Sequence, residues 1–264
     1  MDRTNFTKLV FPVSINIIIS IILFSTLVRK TQSADPKFED YEPRNCGKGP
    51  NISYPFWIPS LQKSYCGYPN FEITCKNRQP VLNMSDDDYL IKDIFYGNHS
   101  LLVVNAWALG NETCPAPLHN FTLDRTPFEF GPDHLELFFL YNCTASAPAS
   151  HLTFSVTCFD NNTYHHSFAT IGHEWQLAWL NSSLGTCSDF VTAPIDMDYF
   201  TNTERKDYRE YLRKGLLLEW TASNCSTCEE SGRHCGFYNK EVVCFCQDGR
   251  YRLSCSGGKP IGDP

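Results

Sequence analysis

Residues 46–75 read CGKGPNISYPFWIPSLQKSYCGYPNFEITC, and this stretch decides the fold class. Its last five residues, Phe71-Glu72-Ile73-Thr74-Cys75, alternate apolar and polar side chains, the period of a strand with one buried face. Prolines at 50, 55, 59 and 69, with another at 80, exclude a helix, since each removes a backbone donor and fixes φ. Outward from it, Tyr89-Leu90-Ile91 and Leu101-Leu102-Val103-Val104 read as strands parted by the turn-like Gly97-Asn98. After the connection Cys114-Pro115-Ala116-Pro117, strands are expected over 135–143, 152–158 and 216–220. One helix is expected, over 201–214. Thr201 and Glu204 form a capping box there, Tyr208, Tyr211 and Leu212 share a face, and Gly215 is the stop. The expected class is mainly β and disulfide-rich: two small cysteine-rich β domains with one short helix.

The 264 residues carry 13 cysteines, the first at Cys46 and the last at Cys255. That density fits an oxidising compartment rather than the cytosol. The densest run is Cys225-x2-Cys228-x6-Cys235-x8-Cys244-x-Cys246-x8-Cys255. Six cysteines admit 15 disulfide connectivities, which spacing alone does not sort. Zinc is the competing reading, and Cys-x-Cys is the wrong spacing for the common structural sites. Upstream lie Cys46, Cys66, Cys75, Cys114, Cys143, Cys158 and Cys187, an odd number that cannot all pair within that segment.

The N-terminus points the same way. Arg3 and Lys8 precede an apolar run over 9–28, followed by Thr31-Gln32-Ser33-Ala34, the pattern of a secretory signal cut after Ser33 or Ala34. The run is long, and Arg29-Lys30 follow it directly, so an uncleaved anchor is the rival reading. Under either, the remainder faces the lumen and then the extracellular space. Sequons at Asn51, Asn83, Asn98, Asn111, Asn120, Asn142, Asn161, Asn181 and Asn224 span the mature chain, and glycosylation is expected across it.

The formal charge is −7. Removal of residues 1–33 takes four cations and one carboxylate with it, leaving −10. Nucleic acid is an unfit partner for such a chain. The one basic cluster, Arg205, Lys206, Arg209, Arg213 and Lys214, is interleaved with Glu204, Asp207 and Glu210 and reads as a solvated helix face. No nucleophile elbow, metalloprotease helix, paired-carboxylate motif or kinase signature stands out, so the chain does not read as an enzyme. His165, His166 and His173 read as surface residues. Asp86-Asp87-Asp88 lacks calcium-loop spacing and reads as a solvated turn. Tyr54-Pro55-Phe56-Trp57, with Tyr65, Tyr68 and Phe71, concentrates rings that either fill a small core or stack on sugar. Pro55 and Phe56 are expected in the core, with Trp57 and Tyr68 exposed.

The spaced string CG…NISYPFW…YCGYPxFxIxC resembles the galacturonan-binding domain of plant wall-associated receptor kinases. Phe139 to Cys143, Leu216 to Trp220, Ser231-Gly232, Cys235-Gly236 and Asp248-Gly249 among the late cysteines are similar to its C-terminal companion domain. The ectodomains of leaf-rust resistance locus receptor-like kinases look most alike. The resemblance implies a signal peptide at 1–33, a galacturonan-binding-like domain at 34–112 and the companion domain at 113–264. It also implies an apoplastic sensor of cell-wall polysaccharide, of the pectin class, that reports to a Ser/Thr kinase. A soluble decoy or co-receptor that binds another receptor kinase or a peptide is the alternative. The chain stops at Pro264, where such receptors continue into a membrane span and kinase, and it has Tyr41 near where they place a cysteine. That loss would explain the odd count and leave Cys46 or its usual neighbour in the bridge network unpaired. For a polyanionic ligand the candidate cations are Lys48, Lys63, Lys76, Arg78 and Lys92. Lys63 and Lys76 flank the aromatic cluster, so the expected ligand residues are Tyr54, Trp57, Tyr68, Lys63 and Lys76. No cofactor or resident metal is implied, calcium entering at most as a bridge to pectin.

Overall fold

The computed structural model describes residues 38–110, 115–145, 152–159, 165–172, 186–196, 207–222, 225–247, 249–252, 254–255 and 260–261. Among the described residues, thirteen strands fall into three sheets. Three short α-helices stand among the described residues, α1 (Ala106–Leu109), α2 (Tyr208–Lys214) and α3 (Ser226–Glu230). The expected class holds, with two more helices than the sequence suggested. The described residues form two compact units. The larger comprises Pro43–Asn224 with Gly236–Val242; the smaller comprises residues up to Glu42, Cys225–Cys235 and Val243–Pro264.

The larger unit holds a six-stranded sheet of order β1-β2-β3-β4-β10-β5. Its strands are β1 (Thr74–Lys76), β2 (Gln79–Met84), β3 (Asp87–Phe95), β4 (Ser100–Asn105), β5 (Phe128–Phe130) and β10 (Leu216–Trp220). Two-residue hairpin turns join β1 to β2 through Asn77-Arg78 and β2 to β3 through Ser85-Asp86. All four residues have positive φ, the twist that suits a tight hairpin. The sheet takes strands from both sides of residue 112. Its core is continuous, joining Phe56, Phe71, Ile73 and Leu101 to Phe128, Leu218 and Trp220. Phe56 is the hub, fully buried, with rings of Trp220, Phe71 and Phe128 at 4.9, 5.3 and 6.2 Å.

A second sheet, of order β7-β8-β6-β9, comprises β6 (His134–Cys143), β7 (Thr153–Ser155), β8 (His166–Gly172) and β9 (Asp189–Asp196). Leu137, Phe139, Val191 and Ile195 on it are buried with Tyr208, Tyr211 and Leu212 of α2. The Asp207 side chain accepts the Arg209 N–H at 3.1 Å and caps α2. The expected capping pair Thr201 and Glu204 lies outside the described residues. So do Arg205 and Lys206. Of the remaining basic cluster, Arg209 lies over the Tyr208 ring and Arg213 donates to the Ala108 carbonyl at 3.1 Å.

Two disulfides brace this unit, Cys46–Cys75 and Cys143–Cys187, and Cys158 is also bridged. Cys114 lies outside the described residues. Of the two alternatives for the odd cysteine, Cys46 or its neighbour in the bridge network, the pairing with Cys75 removes Cys46. Cys66 is buried. Tyr41, in place of the missing cysteine, is a core ring of the smaller unit, stacked on Phe245 at 3.7 Å.

The late cysteines pair Cys225–Cys235, Cys228–Cys244 and Cys246–Cys255, first to third, second to fourth, fifth to sixth. They staple β11 (His234–Tyr238), β12 (Glu241–Cys246) and β13 (Gly249–Tyr251). Cys225, Cys228 and Cys235 sit within 4.8 Å of one another, as do Cys244, Cys246 and Cys255. Sulfur–sulfur bonds engage all six.

Gly215 passes from α2 into β10 with φ +97°, and a Cβ there would meet the Val103 carbonyl oxygen at 2.3 Å. Backbone cannot yield as a side-chain tip does. Gly215→Ala should therefore destabilise the protein by about 2–4 kcal/mol, read as a lowered urea midpoint at unchanged slope.

Candidate functional site

Two stretches of backbone bind each other at the start of the larger unit. The Trp57 N–H donates to the Phe71 carbonyl at 3.3 Å, and the Ile73 N–H donates to the Trp57 carbonyl at 2.9 Å. Side chains alternate across this bridge. Phe56, Ile58, Phe71 and Ile73 point inward and are fully buried, which leaves Trp57 and Glu72 side by side on the outer face.

The turn Tyr68-Pro69-Asn70-Phe71 follows the chemistry of its residues. The Phe71 N–H closes it on the Tyr68 carbonyl at 3.2 Å, Pro69 supplies the fixed φ, and Asn70 takes φ +70°. Gly67 is required on steric grounds, since a Cβ there would lie 2.1 Å from Cδ1 of Trp57. That contact buries Nε1 of Trp57, which has no acceptor among the described residues. The indole is thereby held by its pyrrole edge.

Trp57, Tyr65, Pro69 and Glu72 form one wall of an open cleft of about 420 Å³. Phe237, Tyr238 and Asn239 form the other. They sit at the tip of the β11–β12 hairpin, where Asn239-Lys240 adopts the same positive-φ turn as the other hairpins. Tyr68 props this wall, its ring meeting Phe237 edge-on at 5.0 Å, with Tyr54 behind it at 6.5 Å. The volume lies within the range of about 300–1,000 Å³ of small-ligand sites. A second hollow, beside Gly131, His134 and Asp196, holds about 40 Å³, too little for a sugar ring.

The five expected ligand residues therefore separate. Trp57 lines the cleft, Tyr68 supports it half-buried, and Tyr54 is buried behind Tyr68. Lys63 is exposed, one residue before Ser64 of the lining. Lys76 is engaged elsewhere, with both carboxylate oxygens of Asp88 at 2.7–2.8 Å. This ion pair, opposed by burial and aided by the Asn83 amide, holds the Asp88 carboxyl below the usual aspartate range. Asp86 to Asp88 do not act as one turn. Only Asp86 is a turn residue, while Asp87 accepts from Asn105 and from the Trp107 indole at 2.9 and 3.2 Å. His165 and His166 are half-buried rather than on the surface. His173 lies outside the described residues. Of the sequons, Asn51, Asn83, Asn98 and Asn120 are exposed and Asn142 is half-buried; Asn111, Asn161, Asn181 and Asn224 lie outside the described residues.

The model of the wall-associated receptor kinase galacturonan-binding family matches residues 42–105, and that of the wall-associated receptor kinase C-terminal family matches 157–249. Each model matches its own stretch of this chain. One wall of the cleft comes from each. The chain is 39% identical over 244 residues to the Arabidopsis thaliana leaf rust 10 disease-resistance locus receptor-like protein kinase-like 1.2, across 89% of this chain and 37% of that protein. It is 24% identical to the putative RING-H2 finger protein ATL21A of the same plant, across 76% of this chain and 53% of that protein. The chain thus spans little more than a third to about half of these relatives. No solved structure matches it. No helix among the described residues is long and apolar enough to cross a membrane, and residues 1–33, the expected signal, lie outside them.

Two outcomes follow. Gly67→Ala should push the Trp57 ring from its seat and lower stability by about 1–3 kcal/mol in chemical denaturation. Lys76→Ala should cost about 0.2–1 kcal/mol at neutral pH. Because the Asp88 value is depressed in the folded state, that cost is present above the ordinary aspartate pKa and is lost as pH falls through the folded one. Denaturation of wild type and variant should converge in acid.

Proposed function

We propose that this chain is an extracellular module that binds cell-wall polysaccharide of the pectin class in the aromatic cleft. One observation carries the reading: rings from both matched domains, Trp57 and Tyr65 from the first and Phe237 and Tyr238 from the second, line a single groove. Flat aromatic faces pack against the C–H faces of pyranose rings, while Ser64, Asn239 and the phenol hydroxyls offer hydrogen bonds to sugar hydroxyls. A long polymer suits an open groove better than a closed cavity.

The reading is one of binding without turnover. Glycoside hydrolysis pairs two carboxylates across the scissile bond, and Glu72 is the one carboxylate among the described residues of the lining. Relatives named for a receptor-like kinase and for a RING-H2 finger share the matched region. That is how a recognition module joined to different effectors would look. Under this proposal residues 1–33 direct secretion, and the exposed sequons Asn51, Asn83, Asn98 and Asn120 carry glycans in the apoplast.

The test is titration of partly methyl-esterified pectin fragments against the secreted protein. Trp57→Ala and Tyr238→Ala should each weaken binding about tenfold or more, the equivalent of about 1.4 kcal/mol, with circular dichroism unchanged. Full binding by both variants would refute the cleft as the site.

A further inference from the structure

We infer that Asn120 carries an N-linked glycan that guards a strap of the chain, residues 117–126, against proteolytic cleavage at Leu118. The inference rests on the extracellular placement proposed above and not on what the cleft binds. The strap ties the six-stranded sheet of the larger unit to its four-stranded one. On one side the Thr122 N–H donates to Oγ of Ser85, which donates in turn to the Thr122 carbonyl, both at 2.8 Å. Nε2 of His119 lies 2.8 Å from the Ser85 carbonyl, and the Phe121 ring packs against Tyr89 and Phe130 at 5.1 and 5.9 Å. On the other side the Tyr141 hydroxyl of β6 donates to the Pro117 carbonyl, and Oδ1 of Asn120 accepts the Thr192 N–H of β9 at 2.9 Å.

That last bond divides the labour of the Asn120 amide. Its oxygen faces β9, so its nitrogen is turned away from the strand and has no acceptor among the described residues. Asn120-Phe121-Thr122 is a sequon. Glycosylation joins Nδ2 to the anomeric carbon of an oligosaccharide; that carbon's bond to a lipid-linked pyrophosphate donor breaks, the pyrophosphate leaves, and the amide loses one proton. The amide oxygen stays, so sugar and anchor coexist. Asn83 differs, because its Nδ2 donates to the Asp87 carbonyl and to Asp88 at 3.3 and 3.4 Å, contacts that a sugar would crowd. Two residues before Asn120, Leu118 is 73% exposed, the most exposed large apolar side chain among the described residues, and it lies outside any helix or strand. An apolar side chain displayed on irregular backbone is what a protease with an apolar pocket takes. Such an enzyme adds water across the Leu118–His119 bond, and it must first seat the residues on both sides of that bond. A bulky glycan on the second residue beyond the bond does not fit that groove. A cut there would open the tie between the sheets.

The experiment expresses the whole chain through the secretory pathway of insect cells. Wild type is compared with Thr122→Ser, which keeps the sequon, and with Thr122→Ala, which loses it but keeps Asn120 and its bond to Thr192. Glycopeptide mass spectrometry should find Asn120 occupied in the first two and bare in the third. Chymotrypsin should cut after Leu118 about tenfold faster in Thr122→Ala than in the other two. That variant also loses the hydroxyl that accepts the Asp124 N–H at 3.1 Å, so a second arm removes the glycan alone. Wild type treated with an amidase that releases the glycan and leaves a carboxylate at position 120, still an acceptor for Thr192, should be cut equally fast. A bare Asn120 in secreted, folded wild type, or amidase-treated protein cut after Leu118 no faster than the intact glycoprotein, overturns this inference while the extracellular reading stands. Wild type that never enters the secretory pathway overturns both.

Discussion

The outer surface of the larger unit depends on one backbone pairing, Trp57 against Phe71 to Ile73. Two hydrogen bonds suffice because side chains on either stretch must alternate, and the inner set is entirely apolar and sealed. A slip of one residue would bury Trp57 and Glu72 and expose Phe56, Ile58, Phe71 and Ile73. The burial of four large side chains, each worth about 1.5–3 kcal/mol, fixes the register far more firmly than the hydrogen bonds do. The Cys46–Cys75 bridge closes the loop that contains both stretches. A loop of that length lowers the entropy of the unfolded chain by the equivalent of about 3–4 kcal/mol, on the chain-entropy view of disulfides. The outward pair is thus a by-product of what the core demands inward, which makes its position rigid.

The second wall is held by different means. Phe237 and Tyr238 sit beside a two-residue turn, and such a tip is ordinarily mobile. Here the neighbouring strands run into the three-bridge knot, and Tyr68 meets Phe237 edge-on. Within the larger unit, the second wall is therefore held by this ring contact rather than by deep burial of its lining rings. Rings kept half-exposed in a fixed pose lose little freedom when they bind, which favours contact with a ligand that offers few strong interactions per unit.

Much of this was legible in the sequence and part of it was not. Strands expected at 89–91, 101–104, 135–143 and 216–220 are present, the alternating stretch 71–75 runs into β1, and 152–158 is strand only at Thr153–Ser155 before a 3-10 turn at Thr157–Phe159. Phe56 is inward as expected, and Trp57 stands on the outer face, half-buried. The partition at residue 112 looks different in three dimensions: β10 pairs with β4 and β5, so a strand near residue 218 completes the sheet begun at residue 74. Such long-range pairing leaves no local signal. Phe237, Tyr238 and Asn239 were missed for that reason, although two rings before an Asn-Lys tip, in a segment otherwise devoted to cysteine, are poor value as core and were the available hint. Lys76 was over-read, since its partner Asp88 lies on another strand and a lysine looks equally free in sequence whether paired or not.

Among the described residues, the groove lining combines aromatic rings with one carboxylate, Glu72. Stacking discriminates weakly among hexose polymers, since nearly all present a C–H face to a ring. Charge discriminates strongly at close range and cannot be relieved by small adjustments of pose. Under the proposed glycan reading, Trp57 and Glu72, which the core turns outward, are side chains that a sugar would meet. The alternation that sealed the core thus also sets which side chains line the groove on this side.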